Sequence, residues 1–144
     1  MSPSNRQVPI IEIKDNLLIS LPTDLDDRSA LKIQEEILKK IEKTSPNTLI
    51  IEISTLEMVD SFIGRVLTDL AKMAKIMDVI TIIAGIQPAV AITLVELGLY
   101  LEGIHTALDL DHAIDLANKI KRDRSGDLLK KKDKNDNLKI ENEK

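Results

Sequence analysis

The chain has 144 residues, 43% of them hydrophobic and 31% charged, with a net charge of −4. That length supports one domain with a substantial core, not two. With no cysteine, two aromatic residues (Phe62 and Tyr100) and no basic face, the composition excludes a disulfide framework, a thiolate nucleophile and Cys-ligated zinc, and offers no stacking platform or electrostatic footprint for nucleic acid. Residues 1–7 are polar and carry no apolar signal segment, so a flexible N-terminus and a cytoplasmic setting are expected.

Two short apolar runs, residues 8–13 and 16–21, joined at Lys14-Asp15, read as a hairpin or as two consecutive strands, with Asp15-Asn16 supplying turn chemistry, and Pro9 places the first at a sheet edge. Thr23-Asp24-Leu25-Asp26-Asp27 offers caps and first-turn acids for a helix whose inward face is Ala30, Ile33, Ile37, Leu38 and Ile41. Ser45-Pro46-Asn47 ends it. A strand over 48–53 follows. The next helix has apolar positions 63, 66, 67, 70, 74 and 77, one face at a period of 3.6. Val79–Ala84 reads as a buried strand; Pro88 then suits a first helical position and Gly98 a left-handed helix end. This pattern of breaks argues against reading Val79–Leu101 as a membrane span. A short strand near 104–107 and a helix over 109–121, with Ala113, Ile114, Ala117 and Ile120 inward, complete the pattern. Strands alternating with helices imply an α/β fold, a mixed and mostly parallel sheet in the order ββαβαβαβα. From 122 to 144 the residues are charge-rich without apolar periodicity, so the domain is expected over 8–121 and a disordered tail after it.

Catalytic chemistry finds little support. His105 and His112 have no Ser or Cys partner at a recognisable spacing, and neither GxxxxGK nor GxGxxG occurs, so no nucleotide cofactor is expected. Asp24, Asp26, Asp27 and Asp60 lie near element ends, as the Mg²⁺ acids of a receiver domain do. However, strand 79–84 has no Lys at its end and the chain opens with two strands, so helix-start acids are the simpler reading and no metal is expected.

The feature that remains is Asp60-Ser61, where a buried strand gives way to a long amphipathic helix. Ser61 lies at or next to the first helical residue, a place where Ser ordinarily caps and where free N–H groups favour an anion. A phosphate there adds nearly two negative charges to an exposed shoulder. Asp60 either orients the hydroxyl or caps the helix; Phe62 fills the core or anchors a partner, with core filling preferred; Gly64 leaves room for a neighbouring backbone.

Asp60-Ser61-Phe62-Ile63, with Leu25-Asp26-Asp27, Gly85-Ile86-Gln87-Pro88-Ala89-Val90-Ala91, Glu96-Leu97-Gly98 and Thr106-Ala107-Leu108-Asp109-Leu110, resembles the STAS domain family of anti-sigma-factor antagonists over about Val8 to Ile120. The usual antagonist pattern has a second Ser and a Gly after the phosphorylated Ser; Phe62 and Ile63 stand there instead. This departure favours the branch that provides scaffolds of bacterial stressosomes. The resemblance implies a non-enzymatic protein that forms homo- and hetero-oligomers with STAS-bearing sensor subunits. It implies too that such a protein holds a switch serine kinase and releases it once Ser61 is phosphorylated, with Thr55 a minor second site. Asp60, Ser61, Phe62, Gly64 and Arg65 would form the partner surface. No nucleic acid or membrane partner is implied. A soluble anti-anti-sigma factor that binds an anti-sigma kinase directly is the alternative within the family; a receiver-like or nucleotide-binding domain is the alternative outside it.

Overall fold

Strict alternation in the strands decides how the layers form. In the computed structural model, which describes residues 8–99, 101 and 103–142, with side chains of the last helix described through Gly126, β1 (Ile10–Ile13) and β2 (Asn16–Ser20) form an antiparallel hairpin. Its turn falls on Lys14-Asp15, the join expected between the two apolar runs. Lys14 takes the left-handed φ of 55°, and Asn16 already begins β2, buried, with its side-chain oxygen accepting from the Thr48 hydroxyl. The strands β3 (Thr48–Glu52), β4 (Ile80–Ala84) and β5 (His105–Ala107) then add in parallel, giving the sheet order β1-β2-β3-β4-β5. Pro9 does precede an edge strand.

The helices α1 (Asp27–Thr44), α2 (Ser61–Ile76), α3 (Pro88–Glu96) and α4 (Leu110–Asn142) connect and cover these strands, so the observed order is the expected ββαβαβαβα. Leu17, Ile19, Leu49, Ile51, Ile53 and Ile83 point to one side of the sheet, where Ile33, Ile37 and Ile41 of α1 and Ile63, Leu67 and Leu70 of α2 meet them. Each such side chain stabilises by about 1.5–3 kcal/mol when fully withdrawn from water, which makes this side the main core. Leu18, Ile50, Ile82 and Ala84 point to the other side, against Ala113 and Ala117 of α4.

Element ends follow their local chemistry. Ser45 closes α1 in the left-handed region (φ 47°), its N–H donating to the Ile41 carbonyl. Pro88 stands at the start of α3, and Gly98 (φ 71°) follows its end; the Leu99 N–H returns to the Leu94 carbonyl at 3.0 Å. The Val79–Leu101 stretch is thus a strand and a helix, and among the described residues no helix is long and apolar enough to cross a membrane. Met77, expected on the inner face of α2, is the C-terminal cap instead and is partly exposed, because the helix ends at Ile76.

Two expectations concern the chain ends. The N-terminal residues 1–7 lie outside the described residues. At the other end, the segment from 122, expected to be disordered, continues α4 as far as Asn142. Residues 121–142 contain no proline, and lysine and leucine are good helix formers, so turns propagate from the packed start. Ile120 is the last apolar residue of the described side chains packed on the sheet, and Arg124 still reaches Asp78 at 2.9 Å.

Candidate functional site

Four chain segments end on the same side of the sheet, at the carboxyl ends of the parallel strands, where open α/β sheets usually place their sites. Between β3 and α2 runs Ile53–Asp60. Leu56 and Val59 are buried and anchor this loop from below, while Thr55, Glu57 and Met58 face solvent. Met58 is 85% exposed, which is unusual for so apolar a side chain.

The loop delivers the chain to α2 through Asp60, not through Ser61. Asp60 is extended (φ −96°, ψ 177°), and its carboxylate accepts the Ile63 N–H at 2.8 Å. Ser61 is therefore the first helical residue, one position beyond the capping role that its residue type suggested. The reason is reach: an extended Asp60 satisfies the N–H of the third helical residue. This leaves the Ser61 hydroxyl exposed and, among the described residues, without a hydrogen bond to the protein.

Phe62 corrects a second expectation. It is 38% exposed and not in the core, because position 62 falls off the 63, 66, 67, 70, 74 stripe. Arg65 is exposed one turn beyond Ser61. Gly64 behaves differently from the surface role expected for it. It is buried, and a Cβ there would lie 2.5 Å from Leu99 Cδ1 and 3.4 Å from Leu94 Cδ2. The room that Gly64 leaves is filled from within, by the end of α3. Asp60, Ser61, Phe62 and Arg65 share one exposed shoulder with Met58 nearby in the chain; Gly64 lies beneath it. Thr55 is exposed, but its hydroxyl donates to the Leu21 carbonyl at 2.8 Å and is already engaged.

The start of the loop is held by polar side chains that sequence reasoning did not single out. Glu52 accepts the Ser54 N–H at 2.8 Å and the Ser20 hydroxyl at 3.0 Å. Burial by itself would raise the Glu52 carboxyl, but the hydrogen bonds from Ser54 and Ser20 outweigh it and hold the group below its ordinary range. Gln87, just before α3, donates through Nε2 to the Ser54 carbonyl. Residues 33 apart in the sequence meet here, so no local spacing signals the pair.

The acids considered for a receiver-like site do other work. Asp26 caps α1, accepting the Ser29 N–H at 2.7 Å, and that backbone bond, with the Ser29 hydroxyl, keeps its carboxyl below the usual range. Among the described residues, no three His, Cys, Asp or Glu side chains gather as a metal site would require.

A five-stranded, mostly parallel sheet opening with a hairpin, whose second helix starts at Ser61 behind an Asp60 cap, defines an α/β domain of mixed topology. Residues 7–113 match the model of the STAS domain, and the chain belongs to the STAS domain family. Within it, the chain is related to stressosome proteins. It is similar to a serine-to-glutamate variant of RsbS from Moorella thermoacetica, with a TM-score of 0.75 and 38% identity over 81% of this chain and 99% of that one. It is equally similar in sequence, at 38%, to a chain from the molecular architecture of the stressosome, a signal integration and transduction hub; the TM-score is 0.72, covering 79% of this chain and 99% of that one. Among curated proteins it is 31% identical over 112 residues to the RsbT co-antagonist protein RsbRD of Bacillus subtilis (strain 168), covering 77% of this chain. It spans 40% of the length of RsbRD.

Proposed function

We propose that this protein is a non-enzymatic stressosome scaffold that sequesters a switch serine kinase of the RsbT type and releases it when Ser61 is phosphorylated. The observation that carries this reading is the Ser61 hydroxyl, exposed at the first position of α2 with its capping work done by Asp60. A kinase can take that hydroxyl without dismantling a helix cap. The relatives support the partners: an RsbS-like chain would sit among sensor subunits of the RsbR type in a homo- and hetero-oligomer serving a bacterial stress or signalling pathway.

The switch is local electrostatics. Before phosphorylation, Met58 and Phe62 offer apolar area beside a neutral hydroxyl. Afterwards the shoulder carries nearly two extra negative charges next to the Asp60 carboxylate, and a partner packed there has to bury an unpaired dianion or leave. Thr55 is the minor phosphorylation candidate, since its hydroxyl must first give up the Leu21 carbonyl.

The test is mass spectrometry of the full chain after incubation with the cognate kinase and ATP, alongside pull-downs. Ser61→Ala should lose nearly all phosphate incorporation, retain the kinase and change stability by no more than about 0.5 kcal/mol, as for a surface position that caps nothing. Undiminished incorporation in Ser61→Ala, or a phosphorylated wild type that still holds the kinase, would sink the proposal.

A further inference from the structure

Residue Ser54 is held at both of its backbone groups by side chains from other parts of the sheet end. Its N–H goes to Glu52 Oε1 at 2.8 Å, and its carbonyl receives Gln87 Nε2. The next residue, Thr55, reaches the Leu21 carbonyl just past β2. The β4–α3 connection presses directly on this knot: Gly85 has φ 77°, and a Cβ on it would lie 2.9 Å from Glu52 Oε1 and 3.0 Å from Ser54 Cβ. The first residues of the loop are therefore tied to the ends of β2, β3 and β4 together. From there, buried Leu56 and Val59 carry the path to Asp60 with little freedom left.

We propose that Gln87 is a positioning residue for Ser61, acting through Ser54: it fixes the origin of the Ser54–Asp60 loop and thereby presents the hydroxyl in a ready geometry. The proposal rests on the reading of Ser61 as phosphoacceptor. Its physical content is that a loop already ordered costs a kinase nothing to order, so pre-organisation shows in how well the chain binds as a substrate. Gln87 is half-buried and opens the way into α3, so the same bond links the loop to that helix.

Gln87→Met in the full chain keeps the length of the side chain and removes the donor. Two measurements decide the matter. In hydrogen exchange, amides of Leu56–Asp60 should exchange about two- to tenfold faster, the shift expected for one hydrogen bond of ordinary net worth, while Leu49–Ile51 in β3 stay unchanged. In steady-state phosphorylation, KM for the chain should rise severalfold with kcat within about twofold, a split that general loss of stability would not give. Loop exchange that does not rise, or rises only in step with β3, overturns the proposal, as does an unchanged KM. Should Gln87→Met fail to fold, Glu52→Gln weakens the neighbouring tie and must raise the same loop exchange, or the proposal falls. A wild-type chain that takes no phosphate on Ser61 defeats the phosphoacceptor reading and, with it, the role claimed for Gln87; faster loop exchange in Gln87→Met alongside phosphorylated wild type supports both.

Discussion

Helices α1 and α2 start from the same device and use it for different ends. Each is preceded by an extended aspartate whose carboxylate accepts the N–H three residues on, Asp26 to Ser29 at 2.7 Å and Asp60 to Ile63 at 2.8 Å. Each cap carbonyl then accepts the N–H of the fourth residue, Ala30 or Gly64, and both of those are buried. The first helical residue is where they part. In α1 it is Asp27, an acidic side chain; in α2 it is Ser61, and the first turn has no acid at all. A phosphate on Ser61 would supply the acidic group that α1 has in its sequence. It would sit favourably on the helix dipole, a gain of roughly 0.3–1 kcal/mol for a surface charge. The host helix therefore has no reason to resist the modification, and the cost falls on whatever packs against the shoulder.

Exchanging the fourth residues probes this comparison most strongly. Ala30→Gly should cost about 1–2 kcal/mol, adding the helix penalty of glycine to a lost buried methyl. Gly64→Ala should cost about 1 kcal/mol net, because moving Leu99 aside by overpacking exceeds the roughly 1 kcal/mol gained in helix propensity. Denaturant midpoints measure both, and a stabilised Gly64→Ala chain would show that Leu99 swings away freely.

Removing the caps sharpens the comparison. Asp26→Ala and Asp60→Ala should each lower stability by about 1 kcal/mol. Only Asp60→Ala should also slow phosphate incorporation at Ser61, by several-fold, since it frees the start of the helix that holds the hydroxyl. Equal phosphorylation of the two variants would show that the capping geometry of α2 does not matter to the kinase.

The smallest effect belongs to a third start of the same type. Asp109 precedes α4 and accepts both the His112 N–H at 2.9 Å and His112 Nδ1 at 2.6 Å, and Ala113 again lies buried four residues on. The side-chain bond to Asp109 raises the His112 pKa above its ordinary value, while the His112 backbone bond, then its ring, lowers that of Asp109. A raised imidazole contributes stability that is complete below its unfolded pKa and lost as pH rises through the folded one. A lowered carboxyl contributes above its unfolded pKa and fades as pH falls through the folded value. The pair should thus help most between the carboxylate and imidazole ranges. Both groups are exposed, so the melting temperature of His112→Gln should differ from wild type only slightly there, and the difference should vanish at alkaline pH.

Much of this was legible in the amino-acid order. The short apolar runs, the Pro88 start, the Gly98 end and the 63–74 stripe carry short-range information, and the architecture follows from them. Ser61 is legible for the same reason, as a hydroxyl where a buried strand gives way to an amphipathic helix. What escaped has three physical causes. Asp60 and Ser61 are both good caps, and only backbone geometry decides between neighbours. Phe62 has the size of a core residue, but its phase on the helix turns it outward. The Gln87–Ser54 and Gly64–Leu99 contacts join segments about 33 and 35 residues apart, where local pattern has nothing to say. Helix α4 outruns its expected end because a polar segment without proline can still propagate helix from a packed start, even across Gly126.

The two outer strands of the sheet carry a last consequence. β1 has four residues and follows Pro9, which lacks an N–H; its outward Glu12 is engaged by Lys40 at 2.8 Å, and β5 has only three residues. A stray strand seeking to extend the sheet meets a short ladder on either side, with roughly half of its groups facing outward. Such edges discourage the edge-to-edge joining from which aggregates grow. Crowding many copies together therefore brings helices and loops into contact, and leaves the strands to their own sheet.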